Sequence, residues 1–456
     1  MQESGCVKNR NDEQAPAAVA ATPQQAGDTR DPWWWVERRV WTERMLTRLT
    51  TGESADRVWF RLWDKTYAPA NLQSAFAKVW RKGGSAGADA QTVAHFARQA
   101  EAELARLHEQ LRDGTYRPQP VRRVWIPKPG SSEQRPLGIP AVRDRTVQAA
   151  LRHVLEPIFE AEFAEHSYGF RPGRGAKDAL RRVDTLLQAG YDWVVDADLK
   201  SYFDTIPHDR LLALVKARVA DGPVLALVES FLRAGVMEEA KGWQPTQRGT
   251  PQGGVISPLL ANLYLDPFDH SMARAGWELV RYADDFVILC RSEAEAQAAL
   301  SQVREWVQAA GLVLHPEKTR IVNAAQPGGF DFLGYHFERG MKWPRKKSLT
   351  RLRERLAGKT SRLDGRSLKV IVADVNRTLR GWYGYFQHSR ASTFQQVDGY
   401  VRRRLRSLLE KRRGRVRQGL GAAHQRWPNQ WFAQQGLLSL AAEHEWTRTI
   451  VQLRTH

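Results

Sequence analysis

Two adjacent carboxylates, Asp284 and Asp285, stand between the apolar runs Leu279-Val280 and Phe286-Val287-Ile288-Leu289-Cys290. Short β-type runs around a polar tip read as a hairpin. Side by side the two charges repel, and nothing in folding alone offsets that repulsion. Divalent cations do. Two-metal phosphoryl transfer uses carboxylates that hold ions about 3.5–4 Å apart. For an isolated Asp-Asp pair a solvated turn is the commoner explanation; the rest of the chain reverses that balance.

A two-ion site needs a third carboxylate from a neighbouring strand. Val195-Asp196-Ala197-Asp198-Leu199 offers Asp196 and Asp198. Two residues apart on a strand, they face the same side. The plainer explanation is that both line a polar face. Phe203-Asp204 follows five residues after Asp198.

The composition points to a polyanionic partner. The chain has 456 residues and a formal net charge of +19. Such an excess favours nucleic acid. It is also localised: residues 339–420 hold 24 Lys and Arg against five Asp and Glu, an excess equal to that of the whole chain. A segment this one-sided reads as a phosphate-binding surface. Only Cys6 and Cys290 occur, so neither a disulfide nor a four-ligand structural zinc site is expected. A reducing, cytoplasmic setting follows, with association to the nucleoid compatible with the charge. No apolar run reaches 18 residues, so no membrane-spanning helix is expected.

Residues 1–56 are read as a disordered or poorly ordered leader: the first 31 are rich in Ala, Gln, Asp and Asn, with little to bury. Residues 57–115 form a helical extension, with helical apolar spacing over 71–80 and 92–111. From 116 to 338 prolines punctuate short strands, and helices alternate with antiparallel hairpins. Strands are expected over 121–126, 193–199, 312–322 and 330–337, and helices over 143–163, 211–233, 260–274 and 293–310. That mixture gives an α+β fold. Residues 339–420 read as two or three basic helices, and 421–456 as a C-terminal tail suited to DNA.

Further motifs agree with the carboxylates. Asp198-Leu199-Lys200-Ser201-Tyr202-Phe203-Asp204, Gly249-Thr250-Pro251-Gln252-Gly253-Gly254 and Tyr282-Ala283-Asp284-Asp285 resemble, in order and spacing, three core motifs of reverse transcriptases. Ile126-Pro127-Lys128-Pro129-Gly130 with Arg135-Pro136-Leu137-Gly138-Ile139-Pro140 resembles the fingers motif. Ser167-Tyr168-Gly169-Phe170-Arg171-Pro172-Gly173-Arg174 is similar to a motif of group II intron enzymes. Leu314-His315-Pro316-Glu317-Lys318-Thr319 and Phe332-Leu333-Gly334-Tyr335 resemble the last palm motifs, the second being the primer grip. Gly381-Trp382-Tyr383-Gly384-Tyr385-Phe386 resembles the thumb, or maturase, domain. Arg426-Trp427-Pro428-Asn429 with Trp431-Phe432 resembles the tail of the bacterial C-type group. The likeness covers about residues 57 to 456. Each motif alone is weak, whereas the ordered set is specific. The paired cysteines of an HNH endonuclease, common in the family, are not among these residues.

The resemblance implies a right-hand polymerase, with fingers and palm followed by a helical thumb. It implies Asp198, Leu199, Asp284 and Asp285 as the holders of two Mg²⁺ ions. Lys128 and Arg135 would clamp the triphosphate, Phe203 would exclude a ribose 2′-hydroxyl, Gln252 would touch the nascent pair, and Lys318 would protonate pyrophosphate. Arg171, Gly253, Gly254, Phe332, Leu333 and Gly334 would meet template and primer. Arg402, Arg403, Arg404 and Arg406 would bind RNA.

The implied activity is RNA-directed DNA synthesis from dNTPs on a primed template, joined to a maturase function on structured intron RNA. Two alternatives stay open: a free-standing relative in DNA repair or defence, and a splicing-only RNA binder. Intact carboxylates favour the enzyme over the binder. Phe203 and the maturase-like segment argue against an RNA replicase. No membrane partner is implied, and no oligomeric state follows.

Overall fold

A computed structural model describes residues 31–50, 58–127, 134–414 and 421–454. The chain divides into two compact units, one spanning 24–323 and the other built on 324–456. Strands 330–344 therefore cluster with the basic helices rather than with the Asp-Asp hairpin.

The first unit is organised by the helix Val142–Glu160, which is buried on nearly every side. A helix surrounded by protein must satisfy its polar residues internally. Asp144 accepts from the Tyr116 hydroxyl at 2.6 Å and from the Gln119 amide at 2.9 Å. His153 Nδ1 lies 2.8 Å from Asn71 Oδ1, on the helix Pro69–Lys82 packed alongside.

Residues 31–50 correct the expected leader. Glu43–Thr50 is a helix with Leu46 and Leu49 buried. Trp41 is fully buried and donates its indole N–H to the His153 carbonyl at 2.9 Å. Burying one Trp contributes up to about 5 kcal/mol, enough to tie down a polar segment. The remainder of the expected leader, 1–30 and 51–56, lies outside the described residues.

Two expected helices are broken. The first divides at Gln99 into Val93–Arg98 and Ala100–Arg112. The second divides into His208–Lys216 and Gly222–Arg233. Asp221 makes that second break: its carboxylate accepts from Val224 N at 3.3 Å as an N-cap, and from Leu62 N at 2.7 Å.

Two sheets frame the unit. One orders Gln134–Ile139, Val121–Pro127, Val236–Glu238 and Gly242–Gln244. The other, antiparallel throughout, orders Glu278–Tyr282, Asp285–Cys290, Trp193–Asp198 and Arg320–Asn323. The strand expected over 312–322 shrinks to Arg320–Asn323. His315 N donates to the Asp198 carbonyl at 2.7 Å, which draws the preceding segment across the strand end.

In the second unit Phe330–Phe332, Tyr335–Glu338 and Met341–Pro344 form a small antiparallel sheet. The helices Lys346–Lys359, Leu368–Phe386 and Ala391–Arg412 share one core. The tail belongs to that core: Trp427, Phe432, Leu437 and Leu440 are buried in it. Asp398 accepts from Ser439 Oγ at 2.7 Å and from Leu440 N at 2.9 Å, capping the helix Leu440–Arg454.

Candidate active site

Register brings the carboxylates together. Asp198 ends its strand directly opposite Asp285. Asp284 lies in the two-residue loop between Tyr282 and Asp285, which pair. Ala283, the first loop residue, has φ +60°. Glycine is usual at that position of a type II′ turn, so a side chain there is strained.

The turn is held from outside. Arg281, 1% exposed, donates to the Ala283 carbonyl at 2.8 Å, to Asn262 Oδ1 at 3.1 Å and to both oxygens of buried Asp269, Oδ1 at 2.6 Å. Asn262 in turn donates to the Gly169 carbonyl at 2.7 Å. Gly169 presses backbone to backbone on the turn: a Cβ there would lie 2.2 Å from Ala283 N. Tyr168 N donates to the Arg281 carbonyl, and Arg281 N to the His166 carbonyl. Sequence reading missed Arg281, Asn262 and Asp269. The available signal was a charged residue inside an apolar strand, which must find a partner.

Burial pushes the Asp284 carboxyl above its ordinary range, and the charge of Asp198 pushes the same way; Arg135 and Arg281 oppose them. Lys318 Nζ donates to Asp198 Oδ2 at 2.6 Å. Asp196 is paired with Arg320 at 3.1 Å. Among the described residues no three His, Cys, Asp or Glu side chains close into a metal cage. Two mutually repelling carboxylates on one rigid edge nevertheless fit Mg²⁺, which is usually held by one or two carboxylates with substrate phosphates completing its shell.

The Gly249–Gly254 turn docks on Phe203 and on the strand Gln134–Ile139. Gly138 N donates to the Gln252 carbonyl at 2.7 Å, and a Cβ on Gly253 would lie 2.4 Å from the Gly138 carbonyl. Thr250 N donates to the Phe203 carbonyl at 2.7 Å, which fixes the backbone of Phe203. Leu199 is buried next to Asp198. Arg135 is exposed on Gln134–Ile139, and Lys128 lies outside the described residues.

Several expected nucleic-acid contacts are corrected. Arg171 is buried, with its guanidinium on Glu160 at 2.8 Å and on the carbonyls of Ala164 and Ser167. Those bonds give it an anchoring role in the loop. Gly254 is buried, and a Cβ on it would lie 2.4 Å from Ser257 Oγ. Phe332 is a core residue of the small sheet. Leu333 and Gly334 form its turn, both with positive φ, and the Leu333 carbonyl accepts from the Tyr385 hydroxyl at 2.7 Å. Arg406 is 2% exposed, donates to the Trp427 carbonyl at 2.9 Å and lies over the Phe432 ring. Arg404 binds the carbonyls of Ala357 and Thr360, closing the helix Lys346–Lys359. Arg402 is half-buried beside Asp398, which leaves Arg403 as the exposed member of the four.

Known proteins resemble this chain over two regions. The reverse transcriptase (RNA-dependent DNA polymerase) family model matches residues 126–337. The group II intron maturase-specific domain model matches residues 349–428. Protein YkfC of Escherichia coli (strain K12) is 36% identical over 276 residues, 52% of this chain and 71% of YkfC. The chain belongs to the group II intron-type reverse transcriptases. As a reverse transcriptase of this type it is also similar to the group II intron-encoded protein LtrA of Lactococcus lactis subsp. cremoris, 38% identical over 234 residues. That match takes in 50% of this chain but only 38% of LtrA. A chain of the partial Cas6-RT-Cas1–Cas2 complex is 28% identical, with 54% of this reverse transcriptase and 41% of that chain covered and a TM-score of 0.36. Among the described residues no helix is long and apolar enough to cross a membrane.

Proposed function

We propose that this reverse transcriptase copies RNA into DNA with Asp198, Asp284 and Asp285 as holders of two Mg²⁺ ions, and that its basic unit grips structured RNA as a maturase. The observation that carries the reading is the pairing of Asp198 with Asp285 beside a rigidly held Asp284. When bound, the ions supply Lewis-acid activation of a primer hydroxyl and charge neutralisation on a triphosphate.

The chain's own groups do the rest. Arg135, whose charge reaches Asp284, presents a planar fork of donors to the triphosphate. Lys128, seven residues earlier in the sequence, is read as a second cation for the same phosphates. Lys318, at the edge of Asp198, delivers a proton to departing pyrophosphate. Gln252 and Gly253 sit on the turn that supports the nascent pair. Phe203 places a bulky ring where an incoming sugar would carry its 2′-hydroxyl. Phe203→Ala is expected to raise rNTP incorporation relative to dNTP about tenfold or more. Single-nucleotide incorporation kinetics check this, and an unchanged ratio would count against the gate.

Phosphate contacts by the basic unit follow from its charge, through residues other than those first expected. Lys347, Arg351 and Arg355 recur every four residues along Lys346–Lys359, and all three are exposed. If about six phosphates are neutralised, RNA affinity falls roughly 10³-fold or more between 50 and 200 mM salt. Reversing the three charges is expected to flatten that slope. A binding titration flat in salt for the unaltered chain would contradict the proposed grip.

A further inference from the structure

The segment from Ser167 to Arg174 carries one residue that its scaffold role leaves unexplained. Gly169 is wedged against Ala283, and Arg171 is locked by Glu160 and two carbonyls. Between these fixed neighbours Phe170 adopts φ +60°. Bulky side chains avoid that region, and such strain costs about 1–3 kcal/mol, persisting only where the surroundings over-determine it. Burial does not offset the cost, because Phe170 is 46% exposed. Strained, exposed aromatics are rare unless they serve something.

The ring of Phe170 meets Phe203 edge to face, with centroids 6.5 Å apart and planes at 79°. This is the favoured geometry for two aromatic rings. Tyr202 also touches Phe203, at 5.6 Å and 66°. Tyr202 is itself fixed, buried and donating its hydroxyl to the Ala261 carbonyl at 2.5 Å. Phe203 thus has a buried, hydrogen-bonded ring against it in Tyr202 and a second, partly exposed ring in Phe170, while Thr250 holds its carbonyl.

We propose that Phe170 is a specificity-determining residue, a backstop that keeps the Phe203 ring pressed toward the position of a ribose 2′-hydroxyl. The proposal rests on the reading of Phe203 as the sugar gate. Without the backstop, Phe203 gains rotamer freedom and yields to the hydroxyl. A deoxyribose exerts no such push, so dNTP use is untouched.

The test is single-nucleotide incorporation of a matched dNTP and rNTP by the full chain. Wild type is compared with Phe170→Gly, Phe170→Tyr, Phe203→Ala and the double variant Phe170→Gly/Phe203→Ala. Glycine adopts positive φ without strain, so the backbone at 170 is preserved. The expected result is a roughly tenfold loss of dNTP-over-rNTP selectivity in Phe170→Gly, through a higher kcat/KM for rNTP. The dNTP value stays within about twofold of wild type, and Phe170→Tyr keeps wild-type selectivity. The double variant should be no less selective than Phe203→Ala, since the backstop acts only through the gate. If Phe203→Ala loses selectivity and Phe170→Gly does not, the gate stands and the backstop is overturned. An equal fall in dNTP and rNTP use in Phe170→Gly also overturns it, as a purely structural role. If Phe203→Ala keeps wild-type selectivity, the gate reading falls and the backstop with it.

Discussion

Asp284→Asn is expected to lower the rate of RNA-templated primer extension by about 10³-fold or more, with no loss of fold. The magnitude follows from charge. A metal-holding carboxylate supports several kcal/mol of transition-state stabilisation, and each 1.4 kcal/mol is a factor of ten. The preserved fold follows from the same charge. Asp284 is half-buried and repelled by Asp198, so a neutral, nearly isosteric amide relieves that repulsion, and its oxygen can still accept from the residue's own backbone N–H. The variant should melt no lower than wild type and bind RNA as tightly, because the exposed cations of the second unit are untouched. Near-normal extension by a well-folded Asp284→Asn chain would remove Asp284 from the metal site.

The second large effect is expected at Arg281. Removing one partner of a buried ion pair costs about 3–5 kcal/mol, because the other charge is stranded. Arg281→Met strands Asp269 and strips the donor from the Ala283 carbonyl. Its melting temperature should fall by roughly 10 °C, and extension should fall with it. Arg281→Lys keeps the charge but not the fork that reaches three residues at once, so it should recover only part of the loss. The informative chain is Arg281→Met/Asp269→Asn. Neutralising both partners should restore most of the stability. It does not restore the support of the strained Ala283 turn, so activity should stay low. Recovery of stability and activity together would mean that Arg281 serves the fold alone. Calorimetry and extension kinetics on the same preparations separate the two.

The carboxylate edge was legible because its signal is local. Apolar runs around a polar tip mark a hairpin, a period of two says which carboxylates share a face, and two adjacent acids point to a cation only in the company of the other motifs. The N-cap at Asp221 was missed although its signal is local: Asp221-Gly222-Pro223 marks a helix start, but apolar spacing alone reads 211–233 as one helix. Long-range pairing was not legible. An Arg in sequence is a charge, and only the fold says whether it meets Glu160, as Arg171 does, the Trp427 carbonyl, as Arg406 does, or solvent, as Arg403 does. Glycines mislead in the same way. Gly169 and Gly254 look like room for a ligand, yet the groups that fill the room are Ala283 and Ser257 of the same chain. The polar leader misleads by composition, because Trp41 outweighs its polar neighbours.

The most direct measurement is extension of a DNA primer annealed to an RNA template by the full chain with dNTPs, titrated with Mg²⁺ and then treated with EDTA. The account predicts dNTP-dependent products that lengthen to the template end, rise with Mg²⁺, vanish on chelation and are absent with Asp284→Asn. Tight binding of the primed RNA with no dNTP addition at any Mg²⁺ concentration would contradict it.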